Sequence, residues 1–233
     1  MYRHIFFLLV ASITLFSCKN NSNTTNNWEK VYTNAYKNHD YQTAIVALNN
    51  LILTDSSNAQ YIDSLAFYYL KKSDNYVGGK VIMEKGLSIN KDNLLLMEFK
   101  SMFLMQETKN LEAREILARA YELSKKNKFN YMIATSYVTA PDADEASFKE
   151  FMKIINNILY SPSVPKEMVE ANSPEVGPQV VELKALCYLT KAKLFLGMGN
   201  KALVISQIDS ALMIQPNYAE ANYYKEKLLQ KVQ

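Results

Sequence analysis

Few residues in this 233-residue chain could carry chemistry: there are two histidines and two cysteines. His4 sits in the N-terminal segment, so His39 is the one imidazole of the main body. Within "KNHDY" it reads as a solvated turn residue and not as a base or ligand. One histidine excludes a histidine-based metal cluster, while carboxylate sites stay open. Cys187, in "LKALCYLTKAKL", lies mid-helix among leucines without the cationic neighbours that activate a thiol, and reads as a small buried hydrophobe. Glu167, Glu170, Glu175 and Glu182 could be imagined as acid and base. Nothing in their spacing sets two carboxylates face to face, so they read as keeping a loop solvated. No glycine-rich phosphate loop is present. The expectation is a non-enzyme with no catalytic residues, no metal and no cofactor; a hydrolase is the least favoured alternative.

Cys18 belongs to a different chemistry. Met1-Tyr2-Arg3-His4 and the apolar run Ile5–Phe16 form the cationic and hydrophobic parts of a signal peptide. The run is short of the ~20 apolar residues a membrane span needs. Leu15-Phe16-Ser17-Cys18 resembles the lipobox of bacterial lipoproteins. The resemblance implies removal of residues 1–17 and lipidation of Cys18 with diacylglyceryl and palmitate-like chains, several of which hold a protein stably at a bilayer. An uncleaved anchor and a plain secreted protein are the alternatives. With Cys18 acylated, Cys187 has no disulfide partner. Net charge is +3 before Arg3 is lost, too near neutral to argue for nucleic acid. Residues 18–27, with "NNSNTTNN", read as a flexible tether reaching ~30 Å at most. Surface-exported lipoproteins of Bacteroidetes carry acidic residues after the cysteine. Lys19 here favours the periplasmic face of the outer membrane.

The elements that would position any binding residue are helices. Trp28, Val31, Tyr32, Ala35 and Tyr36 fall at i, i+3, i+4, i+7, i+8, and Ile62, Leu65, Ala66, Tyr69 and Leu70 repeat that stripe. Each stripe precedes a short polar turn and a second helix, which makes a helical hairpin. β-structure finds little support, with six glycines and no alternating runs. Leu51, Gly86 and Ala120 occupy equivalent places, spaced by 35 and 34 residues, the tetratricopeptide period. Trp28, Asp40-Tyr41 and Ala44; Asn75-Tyr76 and Gly79; Ala113 and Ala120; and Gly199-Asn200, Ala211-Leu212 and Pro216 resemble that family's pattern in degenerate form. The small residues sit where two helices cross closely.

Ala211 follows Ala120 by 91 residues, more than two periods. One unit fits residues 128–160, its second helix capped by Asp142 to Glu145. The excess falls on residues 161–179, with four of the six prolines, expected as an irregular insertion holding at most a short helical turn. The fold class is then all-α: a tetratricopeptide-like solenoid of about five hairpins over residues 28–216, closed by a capping helix at 217–233.

The resemblance implies a concave groove lined by the first helices. Matching places give Thr33, Tyr36, Lys37, Tyr61, Ser64, Tyr68, Lys71, Lys72, Glu98 and Met102 as candidate contacts, with tyrosines supplying area and lysines meeting acidic groups. Tyr36 also falls on the apolar stripe and has a core reading beside the binding one. Asp63-Ser64-Leu65 and Asp209-Ser210-Ala211 are similar to the O-glycosylation signal of Bacteroidetes. The function implied is a scaffold or assembly factor in the cell envelope, partnered by another envelope protein or peptide segment and by the membrane through its lipid. The alternative is a ligand-capturing accessory lipoprotein of an outer-membrane uptake system, for which one Trp leaves little to stack on sugar.

Overall fold

The computed structural model describes residues 21–73 and 75–230, with side chains from Thr25 onward. The signal segment and Cys18 lie outside the described residues. In order, the elements are α1 (Asn21–Lys37), α2 (Tyr41–Thr54), α3 (Ala59–Lys71), α4 (Tyr76–Ile89), α5 (Leu94–Gln106), α6 (Asn110–Ser124), α7 (Asn127–Val138), α8 (Glu145–Tyr160), β1 (Met168–Ser173), β2 (Gly177–Glu182), α9 (Leu183–Gly197), α10 (Lys201–Ile214) and α11 (Ala219–Gln230). The ten helices α1 to α10 make five hairpins and α11 follows as the cap, the tetratricopeptide-like arrangement. Among the described residues no helix is long and apolar enough to cross a membrane.

Local chemistry repeats with the hairpins. In the turns of the first, third and fifth, His39, Thr108 and Gly199 take left-handed φ values of 55°, 61° and 75°. In each, the following N–H returns to the carbonyl five residues back: Asp40 to Ala35, Lys109 to Leu104 and Asn200 to Phe195, at 2.8–3.1 Å. These are Schellman closures, which glycine fits best. Side chains then open the second helices: Asp40, Asn75 and Asn200 accept from the N–H groups of Thr43, Gly78 and Leu203. The turns between repeats also recur, with Asp55, Asn90 and Gln215 near φ −137°, −134° and −137°.

The chain divides into two compact units, residues 1–96 and 97–233. In the first, Ala44, Leu48, Leu51, Ile62, Leu65 and Tyr68 form a core against which Trp28, Tyr32 and Tyr41 pack. Gly79 and Gly86 are buried where helices meet; a Cβ at Gly79 would stand 2.3 Å from Leu70 Cδ2, and one at Gly86 2.3 Å from Leu96 Cδ1. In the second, one core joins Phe151, Ile155 and Ile158 of α8 to Leu183 and Cys187 of α9. Another joins Ala171 and Val181 of the strands to α9, α10 and α11.

Two expectations are corrected. Helix α1 begins at Asn21, so residues 21–27 are helical and not tether. No proline or glycine interrupts them, and Asn, Ser and Thr fall only a few tenths of a kcal/mol below average formers. The expected irregular insertion at 161–179 is in large part an antiparallel β-hairpin whose second strand runs on to Glu182. Its strands alternate exposed and buried positions over only a few residues, and Gly177, the first residue of β2 after the turn, takes φ 79°. The expected cap at 217–233 is a described helix over Ala219–Gln230.

Candidate functional site

In the first unit the first helices of adjacent repeats, α1 and α3, present one face. Polar rungs a nearly constant distance apart in sequence tie them together. Tyr61 Oη donates to Glu29 Oε1, and Tyr32 Oη to Ser64 Oγ at 3.4 Å, both spanning 32 residues. A further bond, Asn93 Nδ2 donating to Asp63 Oδ2 at 2.6 Å, ties α3 to the turn before α5. Rings fill the space between: Tyr32 meets Tyr68 edge-on at 6.5 Å, and Tyr41 lies 5.8 Å from Tyr68. Lys72 Nζ lies 5.3 Å from the centroid of the Tyr41 ring and 5.9 Å from that of Phe67, a cation held on aromatic faces.

These contacts set the electrostatics. The hydrogen bond to Glu29, aided by burial and that carboxylate's charge, pushes Tyr61 up to about 12. Burial, then the neighbouring Tyr32, pushes Tyr68 up to about 12. Burial also raises Asp63, partly offset by Asn93.

The candidate contacts therefore separate into a floor and a rim. Tyr68, 4% exposed, is core and not a contact surface, because its ring fills the gap between α1 and the turn at Tyr41. Tyr61 and Ser64 are half-buried and already bonded. Tyr36, which had a core reading, is 62% exposed; Thr33 and Lys37 beside it on α1 are exposed, and so are Lys71 and Lys72 at the end of α3. Thr33 Oγ1 donates to Glu29 C=O at 2.8 Å. Glu29, Tyr32, Tyr41 and Phe67 join the candidates here. The 32-residue spacing, one repeat less two positions, was the signal that could have found the rungs.

In the second unit, Glu98 forms an ion pair with Lys128, Oε2 to Nζ 2.5 Å, and Met102 of α5 is exposed. Both belong to the other compact unit from the remaining candidates. The β-hairpin packs on α9 and α11, first helix and cap: Ala171 and Val181 are buried against Ala185, Leu189, Tyr218 and Ala221. Its tip accepts from Tyr224 through Glu175 at 3.4 Å. Gln179 Oε1 accepts from the Ala219 N–H at 2.9 Å, at the start of α11. Beneath it Lys193 Nζ pairs with the buried Glu220 Oε1 at 2.5 Å, and Tyr131 Oη lies 2.9 Å from Thr190 Oγ1.

The four glutamates are not one cluster. Glu167 accepts from the Asn127 and Lys128 N–H groups at 2.7 and 3.1 Å, capping α7; Glu175 holds the tip; Glu182 pairs with Lys166 at 3.4 Å; and Glu170 is exposed on β1. Glu170 and Glu175 are exposed, Glu175 in the turn itself, as the solvated-loop expectation has it, whereas Glu167 and Glu182 depart from it. Cys187 is buried, and burial pushes its thiol well up. His39 sits exposed at its left-handed turn. Asp63-Ser64-Leu65 and Asp209-Ser210-Ala211 lie inside α3 and α10, with Leu65 and Ala211 buried. Among the described residues no three His, Cys, Asp or Glu side chains converge as metal ligands.

No family model and no curated protein matches the chain. Solved structures do. A tetratricopeptide repeat protein from Parabacteroides merdae aligns over 92% of this chain and 71% of its own, at 14% identity and TM-score 0.54. The MamA protein of Desulfovibrio magneticus, from residue 41 to its end, aligns over 87% of this chain and 99% of its own, at 8% identity and TM-score 0.60. YrrB, a tetratricopeptide protein with an unusual peptide-binding site, aligns over 89% and 98%, at 15% identity and TM-score 0.51. At these identities the likeness is one of fold, and the fold is tetratricopeptide-like.

Proposed function

We propose that this chain is a lipid-anchored scaffold of the bacterial cell envelope that binds an extended segment of another envelope protein on the α1/α3 face of its first unit. The observation that carries the reading is the exposed Tyr36, with Thr33, Lys37, Lys71 and Lys72, set beside a floor of interlocked tyrosines. A floor bonded before the ligand arrives loses little freedom on binding, which leaves more of the contact energy as affinity. Tyrosine rims supply large contact area with a polar tip, and the lysines favour a segment carrying carboxylates. Trp28, which a sugar-capturing role would want in the open, packs against the first core. YrrB, of the same fold, has a peptide-binding site.

The anchor in this reading is Cys18, on the periplasmic face of the outer membrane. Since Asn21 already belongs to α1, Cys18 is no more than three residue steps from it, at most ~10 Å of chain. The first unit then works close to headgroups.

Affinity capture from native membranes tests the site, with wild type beside a Tyr36→Ala, Lys37→Glu variant. Recovery of the main partner should fall at least tenfold while the variant's melting curve stays unchanged. Equal recovery sinks the assignment. Cys18→Ala should move the chain from the membrane to the soluble fraction; retention at the membrane would overturn the lipid anchor and leave the binding face untouched.

A further inference from the structure

The β-hairpin has two long edges, and they are treated differently. The Leu183 N–H donates to the Glu167 carbonyl at 2.8 Å, so residues 167 and 183 are a hydrogen-bonded antiparallel pair. Alternation along the register then turns the backbone N–H and C=O groups of Met168, Glu170 and Asn172 on β1, and of Glu182, Val180 and Pro178 on β2, away from the partner strand.

On β2 that outer edge is closed. The side-chain amide of Gln215, from the α10–α11 turn, stands in for a neighbouring strand: its Oε1 accepts from the Glu182 N–H at 2.7 Å and its Nε2 donates to the Val180 carbonyl at 3.3 Å. Pro178 has no N–H to offer, as suits an edge.

On β1 the equivalent positions are exposed, with Met168 50% accessible and Glu170 and Asn172 also in the open. Among the described residues the sheet has two strands only. The strand is fixed from both ends: Glu167 caps α7, and Ala171 and Ser173 are buried. A rigid, unpaired edge is a template for strand addition.

We propose that β1 accepts an extended segment of another protein as a third strand, one that places Lys or Arg opposite Glu170 and apolar residues toward Met168 and Val180. Charge selects this occupant. A second copy paired about Glu170, the register that uses all three outward residues, would set Glu170 directly across from its own copy. Like charges in that position are destabilising, whereas an opposite charge is favourable. The outer face of the hairpin supplies apolar contact through Met168 and Val180, both exposed. The edge belongs to the second unit, and the proposal stands or falls independently of the α1/α3 reading.

Amide hydrogen exchange tests it on the full chain. The probe is a blocked seven-residue peptide, Thr-Val-Thr-Lys-Thr-Val-Thr, whose Val, Lys and Val share one face, beside a counterpart with Glu in place of Lys. In excess, the Lys peptide should slow the Met168, Glu170 and Asn172 amides at least tenfold, and the inward Val169 and Ala171 amides little. The Glu peptide should be weaker by about two- to fivefold, and Glu170→Lys should reverse that order. No slowing with the Lys peptide overturns strand addition. Equal slowing by both peptides overturns the stated partner. Slowing that grows with protein concentration alone shows a second copy on the edge and overturns it as well.

Discussion

The two units solve the same problem differently. Each first helix of a repeat needs something to order its polar face. In the first unit side chains do it, through Tyr61 to Glu29, Tyr32 to Ser64 and the ring contacts around Tyr68, and the face beyond them stays open with Tyr36 and its lysines. In the second unit a piece of backbone does it. The β-hairpin covers α9 and α11 and fastens through Glu175, Gln179 and Gln215. An open, side-chain-braced face suits a ligand; a covered face offers instead whatever the cover exposes, here the edge of β1. The contrast accounts for two surfaces of different character on one repeat architecture.

The largest effect expected from this contrast is at Val181, fully buried under the hairpin. Val181→Asp buries a carboxylate without a partner, at roughly 3–5 kcal/mol. Amide exchange should rise throughout α9 to α11 while α1 to α4 keep their protection, because repeat arrays are stabilised mainly by neighbours. If α9 to α11 stay protected, the hairpin is an ornament and not the cover.

How much of this was legible in the sequence follows from which signals are periodic. Hairpins, their spacing and the small residues at crossings repeat every 34 or so residues, and all appear in the structure, down to Gly199 and its left-handed turn. The floor and rim could not be separated, because Tyr36 and Tyr68 have the same residue type at nearby places in their repeats. Which of them is buried depends on Tyr41 and Phe67 beside them. The hairpin occurs once, so no repeat announces it. Its two six-residue strands are short, Pro174 follows the first and Pro178 sits in the second, and its buried face depends on α9 and α11 being present to cover. Glu167, read as solvated, caps a helix forty residues earlier in the chain, a pairing that only the fold creates.

Glycines provide a smaller test. Gly79 stands where the family pattern has Ala, yet a Cβ there would lie 2.6 Å from Leu70 Cγ as well as 2.3 Å from its Cδ2. Overpacking of ~1–3 kcal/mol should outweigh the ~1 kcal/mol that Ala adds to a helix. Gly79→Ala should therefore lower the melting temperature, although it brings the sequence nearer the consensus. In the second unit Gly197 has nothing within 4 Å of its added Cβ, and Gly197→Ala should leave stability equal or higher. If both substitutions stabilise, the crossing at Gly79 is looser than its geometry states.

The tyrosine floor gives the first unit a dependence on alkaline pH. Tyr61 and Tyr68 are both raised to about 12 from an ordinary value of 10.0, so their folded surroundings favour the neutral phenol. For a raised group, the contribution is complete below the unfolded value and is lost as pH climbs to the folded one. Between pH 10 and 12 exchange in α1 to α4 should increase as tyrosinate absorbance appears, and Tyr61→Phe should remove part of that titration. Titration of all tyrosines together near pH 10 would contradict the interlocked floor.

The smallest effects belong to the turns, where the two units can be compared at one geometry. His39 in the first and Thr108 in the second hold φ values of 55° and 61° in the position Gly199 fills with glycine. Left-handed backbone costs an L residue roughly 1–2 kcal/mol, and glycine is free of that strain but loses more entropy on folding. Thr108 is β-branched, for which this region is the more unfavourable. Thr108→Gly should therefore stabilise by about 1 kcal/mol, and His39→Gly by less, both read as a rise in denaturation midpoint. His39→Gly should also leave partner capture unchanged, since its ring borders Tyr41 at the turn and the proposed rim lies on the helices. A loss of capture would extend the binding face to the turn and bring the histidine back as a contact.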